Sequence, residues 1–242
     1  MSLVSFKNYK KIAENTVLTD TVVSGRYEFQ VEDEKRIIPD VINKLDLQPA
    51  DNLLDIGCGP GTLLLPLSKF CNNVCGIDNE AAIERINKNN QSSKNIQTII
   101  GSFLETDFSS MGLYTKILIY SVIHYLISED ELFQFLSKAF KLLAPGGKML
   151  IGDIPNSEKK LRYEKSPSGI SQVENWKQKI ASTYTANSDL FVDPNLIVID
   201  DDCYLRILKF ARSQGFESYL LPEAGNLPFG KTRDDILIVA HH

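Results

Sequence analysis

The sequence predicts an α/β fold built on a doubly wound parallel sheet, and two observations lead to that prediction. An apolar run at residues 53–56 leads directly into glycines at alternate positions, Gly57, Gly59 and Gly61, and a second apolar stretch suited to a helix follows. Strand, tight glycine turn and helix form the first unit of nucleotide-binding α/β domains. Further short apolar strands then alternate with helical patterns, which is typical of a parallel sheet with helices on both faces.

The composition is that of an ordinary globular protein. At 242 residues, 43% hydrophobic and 24% charged, the chain suits one α/β domain or one domain with an insertion. The net charge of −5 and the absence of a long basic run argue against binding to nucleic acid or to an anionic membrane. No apolar run approaches ~20 residues and no signal peptide opens the sequence, so we expect a cytoplasmic protein without a membrane span. The four cysteines lack zinc-site spacing, which predicts reduced thiols and no metal.

The glycine loop itself narrows the choice of ligand. Its spacing is G-x-G-x-G, with Thr62 where the dinucleotide-binding pattern has its third glycine. A carboxylate, Asp55, stands two residues before Gly57. Its negative charge would repel a pyrophosphate and attract a cation at short range. A glycine turn without any ligand is the plainer alternative.

The segment from Asp55 to Gly61, D-x-G-x-G-x-G, resembles motif I of the class I S-adenosylmethionine (SAM) methyltransferases. The resemblance covers residues 37–153 well, and it implies SAM as cofactor, S-adenosylhomocysteine as product and no metal. It also implies a seven-stranded sheet whose last strand is antiparallel. By the same resemblance, the loop contacts the cofactor through Asp55, Gly57, Cys58, Gly59 and Gly61.

Residues 1–50 are expected to form an N-terminal helical lid ahead of the core. Apolar residues recur at one-face helical spacing over residues 37–45. In methyltransferases that resemble this chain, an N-terminal segment often folds over the cofactor cleft. That makes Tyr27 and its neighbour Arg26 candidates for substrate contact. The alternative is a surface segment that covers the sheet edge.

The cofactor-binding core is expected to span residues 51–153. Its second strand, residues 73–78, ends in Asp78, at a position where an acid can accept hydrogen bonds from both ribose hydroxyls. The alternative role for Asp78 or Asn79 is to cap the helix that follows. Both roles can hold for neighbouring residues, so both are predicted cofactor contacts.

The third strand, residues 96–100, leads to the segment that would contact adenine. The family commonly has an acid here that binds the adenine amino group, and this chain has Ser102 instead. Phe103 keeps the apolar neighbour that packs on the adenine ring. Asp107 could supply the missing carboxylate only if its loop folds back.

The fourth strand and its exit, residues 114–126, are similar to the family pattern F-D-x-I-x-x-x-x-V-L-H-x-L, with Thr115 in place of the usual acid. Ligands of doubly wound folds bind in the crevice at the carboxyl ends of the strands. The resemblance therefore implies that Ser121 and His124 lie beside the methyl group. His124 is the candidate general base, against the alternative that it only shapes the pocket, and Tyr125 is a candidate substrate contact.

An insertion is expected at residues 154–202, where proline, serine, asparagine and lysine become frequent. We interpret it as a substrate lid with helical character only over residues 173–184, because connections of this length are usually functional or disordered. Tyr163, Trp176 and Tyr184 are its candidate substrate contacts, unless they only pack the insertion together.

The remaining elements follow from apolar spacing and turn signals. They are a helix at 132–143 capped by Ser128, a fifth strand at 149–153 after the turn at 144–148, and a closing region at 203–242 with a helix at 204–213 and strands at 216–221 and 235–240.

The sequence thus predicts a single-domain methyltransferase that moves the methyl group of SAM to an oxygen or nitrogen nucleophile of a small molecule by in-line displacement. Because SAM brings its own leaving group, the protein mainly has to position the nucleophile and exclude water. The alternatives are an NAD(P)-dependent Rossmann oxidoreductase and a catalytically silent SAM-binding domain. The sequence leaves the acceptor and the oligomeric state open.

Overall fold

The structure is a computed structural model that describes residues 3–90, 93–182 and 195–242, and a seven-stranded sheet is its central feature. The strands are β1 (Asn52–Ile56), β2 (Asn73–Asp78), β3 (Ile96–Ile100), β4 (Tyr114–Tyr120), β5 (Leu143–Pro155), β6 (Phe216–Pro222) and β7 (Arg233–Ala240). Their order across the sheet is β3-β2-β1-β4-β5-β7-β6. Strands β1 to β5 pair in parallel, whereas β7 lies antiparallel between β5 and β6. This confirms the predicted doubly wound, mostly parallel sheet with an antiparallel last strand.

Helices precede, separate and follow these strands. They are α1 (Leu3–Glu14), α2 (Asp20–Val23), α3 (Val31–Glu34) and α4 (Ile37–Leu45) before β1, then α5 (Leu64–Leu67), α6 (Glu80–Asn89) and α7 (Glu129–Phe140) in the core, α8 (Ser157–Glu164) and α9 (Pro167–Ser182) in the insertion, and α10 (Asp201–Ser213) before β6. The sequence did not predict α8, and α9 begins earlier than the helix predicted over residues 173–184. Tyr184, a candidate substrate contact, lies outside the described residues.

Apolar runs and side-chain caps explain where several elements begin. In β1, Leu53 and Leu54 point to opposite faces of the sheet and are both fully buried, because helices cover both faces of a doubly wound sheet. At the start of α7, Ser128 Oγ accepts a hydrogen bond from the Glu131 N–H at 3.1 Å. Glu131 reaches back to the Ile127 N–H at 2.8 Å. These reciprocal bonds resemble a capping box, and they begin the helix at Glu129 rather than at the predicted residue 132.

Strand β5 is longer and less regular than the sequence predicts. It begins at Leu143, and its register with β4 shifts between Tyr114 and Lys116. Gly146 has φ +69° at this irregularity, a backbone conformation that glycine adopts without a steric penalty. The predicted proline-glycine turn is therefore absorbed into the strand as a bulge.

Two hydrophobic cores cover the two faces of the sheet. One includes Phe135 of α7 and Ile207 of α10, and the other includes Val41 of α4 and Ile86 of α6. This is the layered arrangement of an α/β domain, with helices on both sides of one sheet. It leaves the carboxyl edge of the strands as the place where loops and the N-terminal segment meet.

The N-terminal segment is fixed to α6 by packing and by charge. Ile12 and Val23 belong to a separate buried cluster that includes two alanines of α6. Arg85 of α6 donates hydrogen bonds to the backbone carbonyl of Ala13, near the end of α1, and to those of Asn15 and Leu18, which follow α1. It also pairs with Asp20 at 2.8 Å. Hydrogen bonds from a charged donor are stronger than neutral ones, so this arginine holds the segment over the carboxyl edge of the sheet.

Two further expectations concern the membrane and the cysteines. In the described part of the chain no helix has both the length and the apolar character needed to span a membrane. All four cysteines are free and buried, as predicted for reduced, packed thiols. Burial raises the pKa of Cys71 to about 12 and that of Cys203 to about 11, so both are protonated, weak nucleophiles at neutral pH.

Candidate active site

The glycine loop between β1 and α5 depends on the absence of side chains. Gly57, Gly59 and Gly61 have φ values of +75°, +55° and +87°, which L-residues rarely adopt. A Cβ added at Gly57 would lie 2.5 Å from a methyl of Val122, and one added at Gly59 would lie 3.0 Å from the hydroxyl of Tyr9. The loop is therefore closely packed on both sides, and its backbone is the surface that a ligand would meet.

Two carboxylates flank this loop at the ends of neighbouring strands. Asp55 is the penultimate residue of β1 and Asp78 is the last residue of β2, and both are nearly inaccessible to solvent. The Gly59 N–H donates to Asp78 Oδ2 at 2.8 Å, and the Asn79 backbone and side chain both donate to Asp78 Oδ1. Asp55 Oδ2, in contrast, is buried without a hydrogen-bond partner among the described residues. A buried, unpaired carboxylate is costly, so Asp55 is the group at this site that a cation would satisfy.

Burial also perturbs the protonation of both carboxyls. It raises the pKa of Asp55 to about 8, with the negative charge of Asp78 as the second cause. It raises the pKa of Asp78 only to about 6, because hydrogen bonds from Asn79 and Gly59 stabilise the charged form and offset part of the burial. Strongly perturbed carboxyls in a cleft are typical of functional sites.

We call the cavity around these groups the glycine-loop cleft. It is lined by the glycine loop, Asp55, Asp78, Tyr125 and residues of the N-terminal segment, and its volume is about 50 Å³. The volume is small because the N-terminal segment covers the loop. Ser24 Oγ lies 3.0 Å from Thr62 Oγ1, and the Tyr9 hydroxyl approaches Gly59. A nucleoside-sized ligand therefore enters only if this segment moves.

A second polar cluster lies at the carboxyl ends of β4 and β5. Ser121 and Asp153 have φ values of +60° and +57°, and such strained conformations in non-glycine residues cluster at functional sites. Arg26 Nη2 donates to Ser121 Oγ at 2.8 Å and to Asp153 Oδ2 at 3.0 Å. Arg233 also pairs with Asp153 Oδ2, at 2.7 Å. Asp153 Oδ1 is buried and has no partner among the described residues.

Sequence reasoning missed Asp153 and Arg233. Asp153 was placed at the end of the fifth strand, and the rule that ligands bind at the carboxyl ends of strands could have singled it out. Arg233 could not be found in that way, because only the antiparallel return of β7 beside β5 brings it to this edge.

His124 and Tyr125 lie in the 3₁₀ turn that follows β4. Their ring centroids are 4.3 Å apart, and His124 Nδ1 is buried without a hydrogen-bond partner in the described structure. Burial lowers the pKa of His124 to about 3, with the positive charge of Arg233 as the second cause. The imidazole is therefore neutral near pH 7. It can accept a proton, but it is a weaker base than an ordinary histidine.

A larger cavity, which we call the aromatic cavity, lies between the N-terminal segment, the insertion and the β6–β7 loop. Its volume is about 720 Å³. Tyr27, Trp176 and Phe229 contribute rings to its wall, with centroid distances of 5.4 Å from Tyr27 to Trp176 and 5.7 Å from Trp176 to Phe229. Tyr163 lines the same cavity. Three predicted substrate candidates therefore come together here, and Phe229 joins them without having been predicted.

The two cavities share one wall. Arg26 lines the glycine-loop cleft, and the next residue, Tyr27, lines the aromatic cavity. Tyr125, the fourth substrate candidate, lines the glycine-loop cleft rather than the aromatic cavity. The N-terminal segment thus contributes to the walls of both cavities.

Other predicted cofactor contacts lie outside the lining of the glycine-loop cleft. Phe103 packs in the core against Phe108 and Phe135, at 5.4 Å and 4.8 Å between centroids. Ser102 is buried, and its carbonyl accepts hydrogen bonds from Thr106. These contacts with adenine therefore stay predictions.

The remaining predicted contacts adjoin the cleft or have structural partners. Asn79 caps α6 by accepting from the Ala82 N–H at 3.1 Å. Cys58 lines the cleft, and burial raises the pKa of its thiol. Asp107 accepts hydrogen bonds from the backbone N–H and the hydroxyl of Ser109 at an exposed turn. It does not line the glycine-loop cleft.

Comparison with known proteins finds a methyltransferase domain and several methyltransferases. Residues 53–147 match the family model of a methyltransferase domain. A probable ribosomal RNA small subunit methyltransferase A from Methanothermobacter thermautotrophicus is 30% identical over 102 residues, which cover 42% of this chain and 36% of that protein. The curated relatives that the chain matches are covered over only 14% to 48% of their own lengths.

Solved structures share the fold over nearly the whole chain. The N-methyltransferase NodS from Bradyrhizobium japonicum WM9, in complex with S-adenosyl-l-homocysteine, is similar with a TM-score of 0.63 and 15% identity over 98% of this chain and 99% of NodS. Magnesium protoporphyrin IX methyltransferase from Synechocystis PCC 6803, with bound S-adenosyl-l-homocysteine, gives a TM-score of 0.60 and 15% identity over 98% of this chain and 95% of that one.

The matched region and the site coincide. Residues 53–147 include the glycine loop, both flanking carboxylates and the end of β4, which together build most of the glycine-loop cleft. The strand order is also that of the solved methyltransferase structures. Residues 53–147 therefore match a methyltransferase domain, and the chain has the fold of the solved methyltransferases.

Proposed function

We propose that this protein transfers the methyl group of SAM to an oxygen or nitrogen atom of a small molecule by in-line displacement. The observation that carries the proposal is Asp55, a buried carboxylate whose Oδ2 lacks a partner among the described residues beside a loop with three left-handed glycines. SAM carries a sulfonium and an α-ammonium, so its cationic end suits a negative charge in a partly dry cleft. In this proposal Asp78 accepts hydrogen bonds from the ribose hydroxyls.

The residues of the chain then have modest tasks. Bound SAM supplies the electrophilic methyl and its own leaving group. The N-terminal segment excludes water by covering the cleft with Tyr9 and Arg26. Ser121 and Asp153, held by Arg26, border the position that the acceptor atom must reach from the neighbouring cavity. Neutral His124 is the candidate acceptor for the proton of a hydroxyl or amine, but its pKa of about 3 makes it a weak base, so most of the rate has to come from positioning.

A small-molecule acceptor is favoured by the aromatic cavity. Its volume of about 720 Å³ falls in the range of small-molecule sites, roughly 300–1,000 Å³. The net charge of −5 opposes the attraction to phosphate that dominates RNA binding. Several curated relatives are rRNA methyltransferases, which does not support the predicted absence of a nucleic-acid partner and makes RNA the competing acceptor.

Calorimetric titration with SAM, S-adenosylhomocysteine and NAD⁺ tests the cofactor. We expect both adenosyl compounds to bind and NAD⁺ not to bind. Binding of NAD⁺ alone would support an oxidoreductase and would contradict the proposal.

Isotopically labelled SAM tests the acceptor. The protein is incubated with SAM carrying a labelled methyl group and with either the low-molecular-weight fraction of a cell extract or total RNA. We expect label in a small molecule, and mass spectrometry then identifies it. Label in RNA alone would replace the small-molecule acceptor with a nucleic acid. SAM binding without transfer in either fraction would support a catalytically silent domain.

A further inference from the structure

The aromatic cavity has the ring content of a site for a flat apolar group. Tyr27 stacks on Phe29 with centroids 5.2 Å apart and 9° between the ring planes. Trp176 meets Tyr27 nearly at a right angle, at 89°, and Phe229 adjoins both rings. Three chain segments that are far apart in sequence thus direct aromatic side chains to one place. Offset and edge-to-face contacts with such rings favour an aromatic ligand over an aliphatic one of equal area.

The acidic side chains of the wall already have basic partners. Asp33 pairs with Arg36 at 2.7 Å, and Glu164 pairs with Lys160 at 3.9 Å. At the inner end, Arg233 is paired with Asp153. These acids therefore offer little negative charge to a cationic ligand.

Two lysines of the wall have no acidic partner among the described residues. Lys231 donates to the side-chain oxygen of Gln172 at 3.0 Å and lies over the ring of Tyr163 at 5.6 Å. Lys177, one position after Trp176, lines the same cavity from α9 and forms no ion pair in the described structure. The ammonium groups therefore give the wall an excess of positive charge next to its aromatic rings.

We propose that the aromatic cavity binds a methyl acceptor with a flat aromatic or conjugated body and an anionic group, such as a carboxylate, sulfonate or phosphate. The rings of Tyr27, Trp176 and Phe229 hold the flat body, and Lys177 and Lys231 hold the anion at the outer part of the cavity. The body then extends past Tyr27 towards Arg26 and the glycine-loop cleft. The inference rests on the proposed function, because it names the acceptor class of the same enzyme.

The test uses Trp176, the sole tryptophan of the chain, as a fluorescent reporter in the cavity wall. The probes are 8-anilinonaphthalene-1-sulfonate and N-phenyl-1-naphthylamine, which share the same ring system and differ by the sulfonate. Both are titrated at low ionic strength, because salt screens exposed charges. We expect both to quench Trp176 and the sulfonate to bind at least about fivefold more tightly, the size expected for two exposed ion pairs.

Matched variants assign that preference to the two lysines. The double variant Lys177→Gln and Lys231→Gln should lose the preference and keep the affinity for the neutral probe. The control is Lys69→Gln with Lys94→Gln, two exposed lysines before β2 and β3 at the opposite, amino-terminal edge of the sheet, and it should keep the preference. Tyr27→Ala should lower the affinity of both probes to a similar extent, by about tenfold. That result would show that both probes bind in the aromatic cavity.

Equal affinity of the two probes, or loss of the preference in the control pair, would overturn the inference. So would unchanged binding of both probes to Tyr27→Ala, because the probes would then bind elsewhere. SAM is titrated on the same samples. Intact SAM binding without the probe preference would overturn only the acceptor class, whereas absent SAM binding would overturn the proposed function.

Discussion

The glycine-loop cleft and the aromatic cavity are built in different ways. Most of the cleft comes from one part of the chain, through the glycine loop, the two acids at the ends of β1 and β2, and the end of β4. Its contacts are backbone groups and carboxylates. The cavity comes from Tyr27, Trp176 and Phe229, and its contacts are side-chain rings and ammonium groups. The proposed cofactor site is thus encoded locally, whereas the proposed acceptor site requires the complete fold.

The two sites are nevertheless joined through the N-terminal segment. Arg26 binds Ser121 and Asp153 on the cleft side, while Tyr27 forms part of the cavity wall. A movement of this segment that admits SAM must therefore also move one wall of the proposed acceptor site.

The largest expected effect separates the sites. Asp78→Ala removes the proposed acceptor of the ribose hydrogen bonds and the acceptor of the Gly59 N–H. We expect the affinity for SAM to fall by about 100-fold, since hydrogen bonds to charged groups contribute about 1.5–3 kcal/mol. Calorimetric titration measures this loss, and the naphthalene probes should bind as before. Asp202→Ala, at an exposed position of α10, is the control. Equal weakening of SAM and probe would show that the two sites are not independent.

The next effect tests the shared wall. Arg26→Gln removes one of the two guanidinium partners of the buried Asp153 and the bond to Ser121. We expect a loss of about 2 kcal/mol in the free energy of unfolding, less than for a fully unpaired buried charge because Arg233 remains. Urea denaturation measures it. Lys35→Gln, which breaks an exposed pair with Glu32, should give no measurable change. If Arg26→Gln were equally silent, the arginine would not hold the wall.

The same contrast explains what could be predicted from the sequence. The bounds of β2 and β3 agree with the structure because short apolar runs bounded by polar residues specify buried strands directly. The glycine loop and the Ser128 cap are also local signals. Helix α8 was missed because none of its side chains is buried, so it has no apolar periodicity. It begins at the Asn156 cap and is tied by Lys159 to Asp234.

The site follows the same division. Asp55 and Asp78 could be predicted because each lies within the last two residues of a recognisable strand. Phe229 and Arg233 could not, because their place depends on β7 returning antiparallel beside β5. A local sequence pattern does not show which distant loops will contact each other, because the sheet topology determines those contacts.

A smaller effect is the dependence of SAM affinity on pH, and it involves only the glycine-loop cleft. The pKa of Asp55 is raised from its usual value near 4 to about 8, so the folded, ligand-free chain holds a proton that the unfolded chain has lost between these values. Its stability therefore falls as pH rises through this window. SAM needs the deprotonated form, whose fraction rises from roughly 3% at pH 6.5 to roughly half at pH 8. We expect the affinity for SAM to rise about tenfold over this range.

Calorimetry in buffers of different ionisation enthalpy measures the affinity and the proton released on binding. Asp55→Asn should remove most of the proton release and most of the pH dependence. The naphthalene probes should show no comparable dependence, since Asp55 does not line the aromatic cavity. Affinity for SAM that is flat with pH in the unsubstituted chain would contradict the assignment of the cation to Asp55.

The smallest effect is expected at His124, in the turn after β4. Its Nδ1 is buried, and burial together with the charge of Arg233 lowers its pKa to about 3, so it should not titrate between pH 5 and 8. Nuclear magnetic resonance of the histidine ring signals tests this, with His124→Asn identifying the signal. Because a base this weak gives little driving force for proton transfer, we expect His124→Asn to lower kcat less than about tenfold, whereas a well-matched general base contributes about 10²–10⁴. A loss in that larger range, or a titration near neutral pH, would show that His124 acts as a well-matched general base.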